Sequence, residues 1–158
     1  MNTAFREFLN RPRALAAKLD EAEDQLMEMW TVCTKQTANY NSTGGHGGGG
    51  GDAKDGGMAT YADLRSKQRA LSMELSAAER DLMKLIDAVE KTGGGRGIRD
   101  AKILRMRYLF RMNWGEIHAG MAADGFHCST LRTVLNWHSD ALYRGERIWE
   151  ERYVRTDE

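Results

Sequence analysis

The chain has 158 residues, of which 41% are hydrophobic, and its 23 basic side chains are balanced by 23 acidic ones. This length suits one domain or two small ones, and the balance excludes a chain that is basic throughout. The two cysteines lie far apart, no signal peptide is evident, and no apolar run approaches the roughly 18 residues that a membrane span needs. We therefore expect a cytoplasmic protein with reduced thiols and no membrane partner.

Two long helices are predicted from apolar residues that recur at alternating steps of four and three, the pattern of a coiled-coil seam. Asn10 with Pro12 predicts the start of the first helix, and Thr60 with Asp63 predicts a capping box for the second. The seam is expected to pair within the chain as an antiparallel hairpin, with a homo-oligomer forming through leftover apolar surface, or alternatively to pair between chains. The two series are Leu15, Leu19, Ala22, Leu26, Met29 and Cys33, and then Leu64, Leu71, Leu75, Ala78, Leu82, Leu85 and Val89, with Gln68 at one seam position.

Glycine-rich segments divide the chain. Residues 41–57 are mostly Gly with small polar residues, which predicts a flexible loop between the two helices, and Gly93–Gly97 predicts a hinge after the second. Neither segment follows a strand-like run or ends in Gly-Lys-Ser/Thr, so a linker is favoured over a phosphate cradle. The predicted fold is all-α, with a long antiparallel helical hairpin (coiled coil) in residues 1–92 and a C-terminal helix-turn-helix head in residues 98–158.

No set of residues in the chain predicts an enzyme. His46, His118, His127 and Cys128 match no zinc-ligand spacing. No Ser-His-Asp or Cys-His arrangement stands out, and most carboxylates fall on solvated helix faces. We therefore expect no catalytic activity, no metal and no cofactor.

The head is predicted to consist of three short helices around an apolar core. Asn113 and Glu116 predict a capping box around Trp114, which is then a packing residue, and His138 is expected to be a buried polar tie. Trp137 fits either packing or contact with a partner. The expected core residues, all at helical spacing, are Ile103, Leu104, Tyr108, Ile117, Met121, Leu131, Val134 and Leu142.

The third helix of the head carries the residues that predict function. Residues 93–148 hold 9 basic and 5 acidic residues, a local positive excess of the kind that phosphates attract. Short or forked polar groups near a helix N-terminus suit hydrogen bonds to base edges, Arg to guanine and Asn to adenine. The predicted base-reading residues are Ser129, Thr130, Arg132, Thr133 and Asn136. The predicted phosphate contacts are Arg105, Arg111, Arg144 and Arg147, and Arg107 either joins them or pairs with Glu116.

These residues carry a family resemblance. The runs Arg99–Tyr108, Trp114–Ile117 and Ser129–Leu135, followed by His138 and Ala141-Leu142, resemble region four of bacterial sigma factors. They are closer still to phage-encoded regulators of the ArpU and RinA type and their relatives. Members of this last group carry a similar layout of a long helical hairpin, a polar loop and a sigma-like head. The chain departs from that pattern in its longer loop, residues 122–128, and in Gly120 inside a helix.

The resemblance implies a DNA-binding transcriptional regulator of late or packaging genes in a phage or mobile element, acting in a bacterial host cell. It assigns base reading to the same five residues, Ser129 to Asn136, and double-stranded DNA as the partner. Two alternatives stay open. One is a small-terminase-like DNA-packaging protein, and the other is an interaction protein that binds RNA polymerase without reading DNA.

Overall fold

The computed structural model describes residues 1–42 and 51–154, and in this part of the chain all regular secondary structure is helical, with no strand. The predicted all-α class is therefore confirmed. The helices are α1 (Thr3–Ser42), α2 (Gly51–Thr92), α3 (Gly94–Leu104), α4 (Trp114–Ala123) and α5 (Leu131–Trp149); α3 continues as a π-helical turn, Arg105–Leu109, and α5 as another, Glu150–Val154.

The chain forms two compact units. One, called the arm below, is Leu15–Leu75, and the other, called the body, combines Met1–Ala14 with Ser76–Glu158. The body thus takes in the first turns of α1, the last turns of α2 and all of the C-terminal helices. This division differs from a boundary in the Gly93–Gly97 segment, because the ends of the two long helices belong with the predicted head.

The arm is an antiparallel pair of helices within one chain. The Gln68 amide Nε2 donates to a carboxylate oxygen of Glu23 at 3.3 Å, and the rings of Trp30 and Tyr61 lie 6.2 Å apart. Trp30 follows Glu23 along α1, whereas its partner Tyr61 precedes Gln68 along α2. The two helices therefore run in opposite directions. Ala22 is buried in the seam, whereas the other predicted seam residues beyond Leu15 in the arm are only half-buried.

Both long helices begin earlier than their capping signals predict. α1 starts at Thr3, so Asn10 and Pro12 lie inside it. An interior proline costs about 3 kcal/mol, because it donates no backbone hydrogen bond and crowds the preceding turn. Phe5 and Leu9 are fully buried in the body, and burial of two such side chains contributes about 3 to 6 kcal/mol, which is enough to extend the helix.

The predicted loop at residues 41–57 is helical at both of its described ends. α1 runs through Ser42, and α2 includes residues 51–57 and so starts before the Thr60 and Asp63 capping signal. Residues 43–50 of the predicted loop lie outside the described residues.

Two apolar clusters form the core of the body. The first joins the ends of α1 and α2 to α3 and α5, and the second joins α3 and its π turn to α4 and α5. The buried members of the first cluster are Phe5, Leu9, Leu82, Leu85, Ile86, Ala88, Val89, Ala101, Leu104, Ala141, Ile148 and Trp149. Those of the second are Ile103, Met106, Ile117, Met121, Cys128 and Val134.

The segment Gly93–Gly97 forms the first turn of α3 rather than a free hinge. Gly94 has a φ of +54°, which a residue without a side chain adopts at little cost. Gly97 is buried, and a Cβ added to it would lie 2.7 Å from the Val89 carbonyl oxygen and 2.8 Å from that of Glu90. The glycines therefore allow α3 to pack directly on the end of α2.

Candidate nucleic-acid interface

α4 begins at the capping box that the sequence predicts. The Asn113 side chain accepts a hydrogen bond from the Glu116 backbone amide at 3.0 Å, and the Glu116 carboxylate accepts one from the Asn113 amide at 2.7 Å. The predicted capping box is confirmed, and the Glu116 carboxylate is engaged in it. Arg107 accordingly does not pair with Glu116; its guanidinium donates to the Met112 carbonyl at 3.1 Å and lies 4.7 Å from the centroid of Trp114.

The connection between α4 and α5, residues 124–130, is fixed by two mutual contacts. The ring Nε2 of His118 lies 3.0 Å from the Cys128 carbonyl oxygen, and the Cys128 thiol donates to the His118 carbonyl at 3.7 Å. Both side chains thus act in packing. Among the described residues, no group of three His, Cys, Asp or Glu side chains could hold a metal ion.

Thr130 caps α5 at the end of this connection. Its backbone is extended, and its hydroxyl accepts a hydrogen bond from the Thr133 amide at 3.3 Å. The Thr133 hydroxyl lies 3.1 Å from the Thr130 hydroxyl, so these two side chains are partly occupied with each other. The cap fixes the point at which α5 starts and hence the direction of the residues that follow.

The structure brings the five predicted base-reading residues together at the N-terminus of α5. Ser129, Thr130, Arg132 and Asn136 are exposed and Thr133 is half-buried. Arg132 makes no ion pair with any described residue. On the opposite side of the helix, Val134 and Ala141 are fully buried, so the exposed face belongs to a firmly packed element.

One core prediction on this helix is wrong. Leu131 is 42% exposed, and Leu135, one turn later, is 38% exposed. Leu131 is the first residue of α5 and lies on the outer side, whereas the core contact falls to Val134. The outer face of α5 is therefore mixed, with two leucines beside the polar residues.

Three of the four predicted phosphate contacts are already paired within the body. Arg105 lies 3.4 Å from Asp87 and 3.2 Å from Glu90, and Arg111 lies 3.4 Å from Glu79. These pairs link the segment after α3 to the end of α2. Sequence spacing gave no signal for them, because the partners lie 15 to 32 residues apart in the chain.

Arg144 belongs to a buried ionic triad that is not among the features predicted from the sequence. Asp100 is fully buried; Arg99 donates to its Oδ1 through Nε and Nη2, at 2.9 and 2.6 Å, and Arg144 Nε donates to its Oδ2 at 3.1 Å. The available signal was the position of Asp100, beside Ala101 and one turn before Leu104 on the apolar side of α3. The triad fastens the C-terminal half of α5 to α3.

Arg147 is the one predicted phosphate contact that is exposed and makes no ion pair within the described residues. It lines, together with Arg96, Arg99 and Arg144, an open cavity of about 510 Å³. Asp140 and Glu151 line the same cavity and offset part of its positive charge.

His138 is the polar tie that the sequence predicts. Its Nε2 lies 3.2 Å from the Tyr108 hydroxyl, and its ring meets the Trp114 ring edge-on at 4.8 Å. Burial and the neighbouring Arg107 lower the pKa of His138 to about 4, and burial raises the pKa of Tyr108. A neutral imidazole next to a protonated phenol fits a hydrogen bond in which Tyr108 donates. Trp137, left open by the sequence, stacks under the Arg99 guanidinium at 5.0 Å.

No protein-family model, curated protein or solved structure matches this chain. Within residues 1–42 and 51–154, no helix combines the length and the apolar character needed to cross a bilayer.

Proposed function

We propose that the chain is a sequence-specific DNA-binding transcriptional regulator of a phage or mobile element, active without catalysis or cofactor in the cytoplasm of a bacterial host. The observation that carries the proposal is the exposed polar face at the start of α5. Its residue pattern, together with that of α3 and α4, resembles sigma factor region four. Double-stranded DNA is the proposed partner.

The arrangement of Arg132 and Asn136 supports base reading. The two residues are four apart on one helix, so they lie on the same face about 6 Å apart along the axis. An Arg fork matches the acceptors of guanine and an Asn amide matches adenine in the major groove. Exposed Leu131 beside them suits contact with a thymine methyl group. A fixed helix start and a buried inner face hold these groups in place before any partner binds.

The test begins with selection of a preferred duplex from a random pool by the full chain. Asn136→Ala is expected to weaken binding to that duplex by about 5- to 150-fold and binding to random DNA far less, because it removes a base contact. Arg147→Gln is the matched comparison on the same helix, and it is expected to weaken both kinds of DNA alike. An unchanged ratio of specific to random binding in Asn136→Ala would exclude base reading by α5.

A second candidate function rests on the two exposed leucines of α5. Leu131 and Leu135 form a small apolar strip, which favours a protein partner such as RNA polymerase. Leu135→Ala separates the two functions. Loss of binding to purified bacterial RNA polymerase, with binding to the selected DNA intact, supports the interaction protein, and the reverse result supports the DNA reader.

The homo-oligomer is proposed to form through the arm. Trp30 is 57% exposed and Met27 is exposed one turn before it, while the seam around them is only half-buried. Molar mass from light scattering tests this. A dimer that dissociates in Met27→Ser/Trp30→Ser supports the regulator, whereas a ring of about eight or more subunits supports the packaging protein.

A further inference from the structure

A second cavity in the body is lined by arginines, and no acidic residue of the described chain lines it. Its volume is about 290 Å³, near the lower end of the range for small-ligand sites. Arg6 and Arg13 of α1 and Arg107 of the π turn after α3 line it, together with Tyr108 and His138. All of these residues belong to the body.

The three guanidinium groups differ in how firmly they are held. Arg107 is fixed by its hydrogen bond to the Met112 carbonyl and by its position over the Trp114 ring, and neither contact neutralises its charge. Arg6 and Arg13 are exposed and form no ion pair within residues 1–42 and 51–154. This contrasts with Arg105 and Arg111, which pair with carboxylates of α2. The cavity therefore combines one rigid cation with two adjustable ones.

A bound anion would reduce the repulsion among the three guanidinium charges. Like charges around a partly enclosed space repel one another, and a cleft lined by charges of one sign attracts ions of the opposite sign. The neighbouring side chains respond to the same positive field, since Arg107 helps to lower the pKa of His138, and Arg107 and Arg6 both oppose the rise in the pKa of Tyr108.

We propose that this cavity binds a phosphate group, held by Arg6, Arg13 and Arg107. Guanidinium forks match phosphate oxygens in pairs, and three of them around one cavity supply more donors than a single carboxylate accepts. The phosphate belongs either to the backbone of duplex DNA or to a free phosphorylated small molecule. Only the first source rests on the proposed DNA-binding function.

The first arm of the test uses the full chain without DNA. Pyrophosphate is titrated while the indole NMR signal of Trp114, which also lines the cavity, is followed. Arg6→Gln/Arg13→Gln is expected to weaken binding at least tenfold. Arg11→Gln is the matched control, because it removes the same charge from an exposed position of the same helix that does not line the cavity. Arg13→Lys keeps the charge but not the fork, and it is expected to give an intermediate affinity.

The second arm measures how the affinity for duplex DNA falls with salt. Each lost phosphate contact reduces the slope of log affinity against log salt by about 0.9. A slope reduced by about one or more in Arg6→Gln/Arg13→Gln, with Arg11→Gln unchanged, assigns the site to the DNA backbone. Pyrophosphate binding that depends on the same two arginines, with an unchanged DNA slope, assigns it to a free phosphorylated ligand.

Two results would overturn the proposal. One is the absence of both effects in the double variant when its helix content matches that of the unaltered chain. The other is an equal effect of Arg11→Gln, which would show general attraction of anions to α1. If the unaltered chain binds no DNA at any salt concentration, the proposed function fails, and the pyrophosphate titration still decides the nature of the cavity.

Discussion

Asp100 is the residue on which the attachment of α5 to α3 depends most directly. Asp100→Asn keeps the shape but removes the charge that two arginines share, and breaking a buried ionic contact on one side costs about 3 to 5 kcal/mol. Asp140→Asn is the control, because its side chain is mostly exposed and lies 3.3 Å from the same Arg99. It is expected to cost less than about 1 kcal/mol.

Urea unfolding at neutral pH measures both variants. Equal losses of unfolding free energy in Asp100→Asn and Asp140→Asn would show that the buried triad contributes no more to stability than an exposed ion pair.

His138 predicts a loss of stability in mild acid. Its pKa is lowered from 6.5 to about 4 in the folded chain, so the unfolded chain takes up a proton first as the pH falls. The contribution of His138 to the free energy of unfolding is therefore at its full value above about pH 6.5, and it declines as the pH falls toward 4. Because the ring is partly exposed, we expect a loss of about 1 kcal/mol between pH 7 and pH 5.

The measurement is the free energy of unfolding at the two pH values. His138→Gln removes this titrating group and is expected to show a weaker pH dependence, whereas His127→Gln, at an exposed position, is expected to keep that of the unaltered chain. A His138→Gln variant as acid-sensitive as the unaltered chain would assign the effect to other groups.

At the scale of the helix, the glycines at the start of α3 make a matched pair. Gly97→Ala places a methyl group within 2.8 Å of two backbone oxygens, and such overpacking costs about 1 to 3 kcal/mol. Gly95→Ala meets nothing within 4 Å and is expected to stabilise by about 0.5 to 1 kcal/mol, since alanine loses less backbone freedom in a helix.

Thermal unfolding of the two variants gives shifts of opposite sign. A segment that acted as a free hinge would instead tolerate both substitutions equally, so two small shifts of the same sign would contradict the packed first turn.

Among the helices, local features are predictable from the sequence, whereas features set by distant contacts are not. The long apolar periods of α1 and α2 and the local capping box of α4 involve residues three or four apart, and both appear as predicted. The predicted start of α1 is too late because distant contacts decide it: the Phe5 ring contacts Trp149, and Leu9 lies in the same buried cluster. The polar residues on the outer face of α5 are predictable from the sequence. The exposure of Leu131 and the pairing of Arg105 and Arg111 with α2 are not, because they depend on the packing of separate elements.

At the scale of the whole molecule, the body is a unit assembled from two separated stretches of chain. Residues 15–75 replaced by a Gly-Ser linker of about eight residues should leave a folded body, since such a length is ordinary between antiparallel helices. Residues 93–158 alone lack Phe5, Leu9, Leu82 and Ile86 of the first core cluster and are expected not to fold.

Circular dichroism and urea unfolding distinguish these outcomes. We expect a cooperative transition in the linked body and none in the fragment. A fragment of residues 93–158 that unfolds cooperatively with the stability of the linked body would instead support a domain boundary at the Gly93–Gly97 segment.

The contact of Phe5 with Trp149, whose ring centroids lie 5.8 Å apart, has a consequence for biosynthesis. A ribosome adds about 5 to 20 residues per second, so on the order of 10 s separates the synthesis of these two residues. Throughout that interval the apolar side chains at the start of α1 have no completed core to enter. The nascent chain therefore exposes them until α5 emerges, and its yield in the cell is expected to depend on chaperones that bind apolar segments during translation.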